Sequence, residues 1–206
     1  MDITVLGATG ATGAEITRQA LERGHAVTAV ARNPDRITPP TSEGLTRVAG
    51  DVLDPESIGR ALKGARIVLS GLGISGGDAP GALTAGARAA VDAEPDFIVW
   101  LAAFGTGDSA PHAGVFTRGL LKMFMKSEMA DRTTADAIVR GDGGAVFHAG
   151  PLSNGELSPT WRTVPLDSAP RRFFPARVSR ATVAAAMLDE AEQQQYGGRI
   201  AVPLER

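Results

Sequence analysis

The sequence predicts an α/β protein with one doubly wound, mostly parallel sheet and helices on both faces. Three observations carry that prediction. Runs that read as strands, at 3–6, 25–31, 46–50, 66–70, 97–101 and 145–148, alternate with segments that read as helices. The first of these units is a strand, a glycine turn, a helix and a second strand. The length, 206 residues, suits one domain with a full core and leaves little for a second.

The opening unit is the most informative. The run Ile3 to Leu6 stops at Gly7, and Gly10 and Gly13 follow at three-residue intervals before the helix-compatible segment Ala14 to Arg23. Such a turn suits phosphate binding. One glycine allows a sharp reversal, another lets the main chain approach an oxyanion, and the first helical N–H groups point at the ligand. Gly7, Thr9, Gly10, Ala11, Thr12 and Gly13 are therefore candidate cofactor contacts, and Gly13 is also expected to let the helix lie close on the strand. This places the chain among Rossmann folds. After the second strand, where an acidic residue would accept a ribose 2′-hydroxyl, stands Ala31-Arg32-Asn33. A guanidinium there suits a 2′-phosphate, so Arg32, assisted by Arg36, predicts NADP in preference to NAD. The bland alternative for Arg32 is a solvated strand end.

Thr46 to Gly50 reads as a third strand running into Asp51 and Val52. Asp51 can accept an adenine amine while Val52 packs on the ring, or Asp51 can be a turn residue before the next helix; the two roles are compatible. That helix spans Pro55 to Leu62, with Asp54 as N-cap and Pro55 at its first position. The strand 66–70 ends in Gly71-Leu72-Gly73, at the carboxyl end of the sheet where ligands bind, so these three residues join the cofactor candidates. Residues 74–80 read as mobile. A helix follows over 83–93, then the strand 97–101. From Val115 to Arg140 the pattern is one long helix or a broken pair, with Phe116, Leu120, Leu121, Phe124 and Met125 as a core stripe and Lys122 and Lys126 on the opposite face. The sixth strand, 145–148, is ended by Gly150-Pro151. Residues 151–177 are polar and proline-rich and read as a loop-rich segment over the substrate side. Ser179 is expected to cap a helix through Gln195, and 197–202 to form a last strand.

Composition narrows the function. With 21 basic and 23 acidic residues, a net charge of −2 leaves no electrostatic footprint for nucleic acid or an anionic membrane. There is no cysteine, which excludes disulfides, thiolate chemistry and cysteine-ligated metals, and no metal site is expected. A strand beginning near residue 2 leaves no room for a signal peptide, and no apolar run reaches the roughly 18 residues a membrane span needs, so a cytoplasmic location is expected. ATP hydrolysis on a glycine-rich loop is disfavoured, because no Gly-Lys-Ser/Thr follows the turn.

Taken together, Gly7-Ala8-Thr9-Gly10-Ala11-Thr12-Gly13, Arg32-Asn33-Pro34, Gly50-Asp51-Val52, Gly150-Pro151-Leu152-Ser153-Asn154-Gly155 and Val178-Ser179-Arg180-Ala181 resemble the atypical short-chain dehydrogenase/reductase superfamily. Within it the likeness is to the NAD(P)H-binding, NmrA-like group that includes biliverdin and flavin reductases. The resemblance implies NADP across the strand ends and a small planar acceptor stacked on the nicotinamide. The chain departs from the superfamily's acid set of Tyr-x-x-x-Lys plus serine. Its only tyrosine is Tyr196, Ala102 and Ala103 stand where a serine pair is common, Asp131-Arg132 stand near the usual lysine, and His148-Ala149-Gly150 replace Arg-Pro-Gly. His112 and His148 are the substitute proton-donor candidates, each weighed against a histidine with no chemical role, and Thr106 and Ser109 are loop hydroxyls of the same standing. Two functions follow: a reductase of a flavin-like or quinone-like acceptor, or a cofactor-loaded sensor of NmrA-like type. A nucleotide-sugar epimerase is disfavoured by the missing Tyr/Lys pair and the small C-terminal portion.

Overall fold

The first strand is the centre of the sheet, and the chain winds outward from it in both directions. In a computed structural model describing residues 1–38, 41–74, 80–114, 128–170 and 175–205, strands β1 (Asp2–Leu6), β2 (Ala26–Ala31), β3 (Leu45–Ala49), β4 (Ile67–Ser70), β5 (Phe97–Ala103), β6 (Ala145–Ala149), β8 (Trp161–Pro165) and β10 (Ile200–Glu205) form one sheet. Their order is β3-β2-β1-β4-β5-β6-β10-β8. Every pairing is parallel except β10 with β8. The short strands β7 (Leu152–Ser153) and β9 (Val178–Ser179) pair separately. The winding reverses between β1 and β4, which opens a crevice at the carboxyl ends of those two strands.

Helices cover both faces, as predicted. We number them α1 (Ala11–Glu22), α2 (Pro55–Leu62), α3 (Ala82–Asp92), α4 (Met129–Gly141) and α5 (Arg180–Gln193). On one face Ile16 and Ala20 of α1 and Val183, Met187 and Leu188 of α5 bury Ile3, Val5, Val99 and Phe147. On the other, Ile58 and Leu62 of α2, Leu83 and Ala87 of α3 and Val139 of α4 bury Leu6, Val68, Ile98 and Trp100. Covering both faces is why the central strands are apolar at successive positions instead of alternating.

Local signals hold at the helix starts. Asp54 accepts the amides of Glu56 and Ser57 at 3.1 Å each, and Ser179 accepts the amide of Thr182 at 3.0 Å. The start of α3 is capped from elsewhere. Its N-cap, Gly81, has no side chain, and the carboxylate of Asp131 on α4 accepts the amides of Leu83 at 3.1 Å and Thr84 at 2.8 Å. This clasp fixes α4 against α3.

Two elements begin three residues away from the sequence reading. Helix α1 begins at Ala11 instead of Ala14, so the glycine turn supplies the helix's first residues. The last strand runs from Ile200 to Glu205, because Gly198, at φ 68°, completes a turn, and Pro203 does not end the strand even though it has no N–H to give the ladder. The described residues of 151–177 contain β7, the edge strand β8 and the short helical turn Leu166–Ser168. The stripe from Phe116 to Met125, with Lys122 and Lys126, lies outside the described residues, as do residues 75–79 of the segment read as mobile; α4 is the described part of the 115–140 helical pattern.

Candidate functional site

Turn packing dictates the site. Gly7 has φ 72°, a conformation that favours glycine, and a Cβ there would stand 3.1 Å from the backbone of Leu72. A Cβ on Gly13 would come within 2.1 Å of the Gly7 carbonyl oxygen, and one on Gly71 within 2.8 Å of the Gly13 nitrogen. The turns after β1 and β4 thus nest on the first turn of α1 through three glycines. Gly13 takes the predicted role of letting the helix approach the strand. Gly71 is required for that same packing, whereas a Cβ on Gly73 would meet open space.

Above this nest lies a cleft of about 560 Å³. It brings together all the predicted cofactor contacts except Gly13: Gly7, Thr9, Gly10, Ala11 and Thr12 over β1, Arg32 after β2, Asp51 and Val52 after β3, and Gly71, Leu72 and Gly73 after β4. The N-cap of α1 is Gly10, which offers no side-chain cap, and the helix has no acidic residue in its first turn. Its leading amides face the cleft at the positive end of the helix dipole. Asp51 has both of its anticipated positions: it lines the cleft, and its Oδ1 accepts the Leu53 amide at 3.0 Å. Arg36 lines the cleft beside Arg32. A narrow glycine cradle, uncapped helical amides and a cation beyond the second strand fit a dinucleotide.

The far end of the cleft has a different character. Leu101, Ala102 and Ala103 at the end of β5, and Ala149, Gly150 and Leu152 around the end of β6, make an apolar floor, with Arg132 and Arg180 beside it. The strand-end rule could have found the first group, since the sheet order puts β5 and β6 beyond β4. Arg132 needed the rotation of α4, which no local pattern reveals.

Neither histidine candidate lines the cleft. His148 is fully buried toward α4, with Nε2 at 3.1 Å from Asp136 Oδ2 and Nδ1 at 2.7 Å from Ser109 Oγ. Ser109 Oγ also accepts the Gly105 amide at 2.8 Å and donates to the Thr106 carbonyl at 2.9 Å, so the network secures the loop after β5. Thr106 is buried and donates to the Ala103 carbonyl at 2.8 Å. His112 ends the short helical turn Gly107–His112 and is half-buried. The hydroxyl of Tyr196 donates to the Thr163 carbonyl at 2.9 Å, and its ring meets Phe147 edge-on, remote from the cleft lining.

Comparison with known proteins agrees with this geometry. A sequence profile of the NAD(P)H-binding family matches residues 7–194, and the chain belongs to that family. It is the family whose glycine turn and strand-end motifs the sequence resembles. The chain is 38% identical over 69 residues to a photosystem II assembly factor of Cyanophora paradoxa, a match covering 34% of this chain and 22% of that longer protein. In solved structures the fold recurs in a short-chain dehydrogenase/reductase of Veillonella parvula in complex with NADP, at TM-score 0.81 and 18% identity over 99% of this chain and 94% of the other. It recurs again in an anaerobillin reductase of Escherichia coli O157:H7, at TM-score 0.80 and 21% identity over 100% and 97%. Among the described residues no helix is long and apolar enough to cross a membrane, and no group of three or more His, Asp and Glu residues is placed to hold a metal ion.

Proposed function

We propose that this protein is an NADPH-dependent reductase that passes hydride to a small, planar, conjugated acceptor of flavin or quinone type, without a Tyr/Lys acid pair. The observation that carries the reading is the acceptor end of the cleft, where, among the described residues, Ala102, Ala103, Ala149 and Gly150 offer apolar area and no hydroxyl. A carbonyl reductase needs a placed donor for the developing alkoxide. A conjugated ring spreads the incoming charge and takes its proton from water, so positioning suffices. Bound NADPH supplies the hydride from its nicotinamide.

The chain's residues divide the remaining work. The amides at the start of α1 hold the diphosphate, and Gly7 and Gly10 leave it room. Arg32 and Arg36 read the 2′-phosphate and favour NADP over NAD. Asp51 and Val52 receive the adenine. The reductases and the NADP complex among the structural neighbours are consistent with this reading. A cytoplasmic location, where NADPH is plentiful, completes it.

The test is oxidation of NADPH by purified protein, followed by absorbance, with FMN or a naphthoquinone as acceptor. Turnover with either supports the reductase. Tight NADP binding with no turnover across an acceptor panel would replace it with the NmrA-like sensor, whose output is a change in partner contacts on cofactor loading.

A further inference from the structure

Arg132 lies in the first turn of α4 and lines the cleft beside the ends of β5 and β6. Its side chain is 15% exposed, and its Nη2 donates to Glu128 Oε2 at 3.2 Å. Its Nε–H is buried and meets no acceptor among the described residues. A buried donor without a partner is rare in folded chains and marks a place where a water or a ligand belongs. The Nε and Nη groups of a guanidinium form a planar fork that matches the paired oxygens of a carboxylate or phosphate. The clasp between Asp131 and the start of α3 holds the neighbouring residue of α4 in place, so the guanidinium, with Nη2 on Glu128 and Nε open, is carried on a fixed element.

Charge and position together say whose oxygens these are. Among the described residues that line the cleft the acidic one, Asp51, sits after β3 at the opposite end, while Arg180, tied to Asn154 Oδ1 at 2.6 Å, adds a second cation to the lining. The phosphates of a dinucleotide are accounted for by the α1 amides and Arg32, over β1 and β2. Strands β5 and β6 stand two and three positions from β1 in the sheet, about 10–14 Å away at about 4.8 Å per strand, and one strand farther from β2. An oxyanion at Arg132 therefore belongs to a second molecule. We infer that Arg132 anchors an anionic substituent of the acceptor: the physiological acceptor is a planar conjugated ring that carries a carboxylate or a phosphate. This rests on the reductase reading and narrows its substrate class.

Calorimetric binding to protein saturated with NADP⁺, which cannot turn over, tests it with matched probes. FMN against riboflavin differs by the phosphate, and anthraquinone-2-carboxylate against anthraquinone-2-carboxamide by the carboxylate; the pair with the larger ratio identifies the anion. The charged member of at least one pair should bind about ten-fold more tightly. Arg132→Gln should erase that ratio while leaving NADP⁺ affinity unchanged. Should Arg132→Gln not fold, Arg132→Lys, which keeps the charge and loses the fork, should reduce the ratio. Binding without charge preference in the unmodified protein, or a preference that survives the substitution, overturns the anchor and leaves the reductase standing. A fall in NADP⁺ affinity matching the fall for the charged probe also overturns it, by placing the guanidinium on the cofactor. Absence of binding by every probe overturns the reductase reading and the anchor with it.

Discussion

Gly13 and Gly7 touch so closely that a single methyl group between them would stand 2.1 Å from a carbonyl oxygen. Backbone lies on both sides of that contact, so neither side can swing away. The helix carrying the site's leading amides is seated by the absence of a Cβ at Gly13.

Gly13→Ala should therefore push α1 off the sheet and destabilise the fold by about 1–3 kcal/mol, as overpacking does in cores. Gly10 is different. Its φ of −74° suits any residue, and a Cβ there meets the Gly7 carbonyl at 3.2 Å and the Gly71 carbonyl at 3.9 Å, the second an ordinary contact. Gly10→Val should melt close to the unmodified protein and lose NADP and NAD binding alike, by filling the space above the turn. Thermal melts beside cofactor titration separate the two. Unchanged affinity in Gly10→Val would remove this turn as the diphosphate site.

Arg32 is exposed at the end of β2 and lines the cleft. Arg32→Ala should raise the dissociation constant for NADP about ten-fold or more, equivalent to about 1.4 kcal/mol or more of charge-assisted bonding, and leave that for NAD nearly unchanged. Equal losses for both cofactors would refute the 2′-phosphate assignment.

What the sequence made legible is what short-range rules govern. The glycine spacing, the Asp54 and Ser179 caps and the strand ends are contacts within a few residues, or consequences of parallel winding. The use of Asp131 as the cap of α3 joins residues 47 positions apart, and only the packing of α4 on α3 reveals it. His148 shows the same limit. A histidine at the end of a strand can face the crevice or either covered face, and here it turns toward Asp136, while its neighbour Phe147 enters the opposite core. Arg132 enters the cleft for the same reason.

His148 holds Ser109 and Asp136 together in a buried network. His148→Ala strands both partners and opens a cavity, and should cost about 2–4 kcal/mol. In a chain of this size that lowers the melting temperature by about 4 °C or more. Acceptor reduction per folded molecule should stay within about two-fold, since the ring does not line the cleft. Unchanged stability with lost turnover would restore His148 as the proton donor.

Glu190, on the last turns of α5, is buried, and its carboxylate accepts the amides of Tyr196 at 2.7 Å and Gln195 at 3.1 Å, which folds the chain back after the helix. Burial pushes this carboxyl above its ordinary value of 4.5, and the two amides reverse only part of that. The folded protein thus keeps the Glu190 proton to higher pH than the unfolded chain does. Between the ordinary and the raised value the native state binds more protons, so this group's contribution to stability is complete below about pH 4.5 and is lost as pH rises through the folded value. Glu190→Gln removes the titration and keeps an oxygen to accept an amide. Melting temperatures of the two proteins from about pH 4 to pH 7, on either side of the ordinary glutamate range, isolate this group because the other shared titrations cancel. The variant's melting temperature should gain on that of the unmodified protein as the pH rises. A difference that stays flat, or moves the other way, would show that Glu190 is held as a well-solvated carboxylate and that its two amides outweigh its burial.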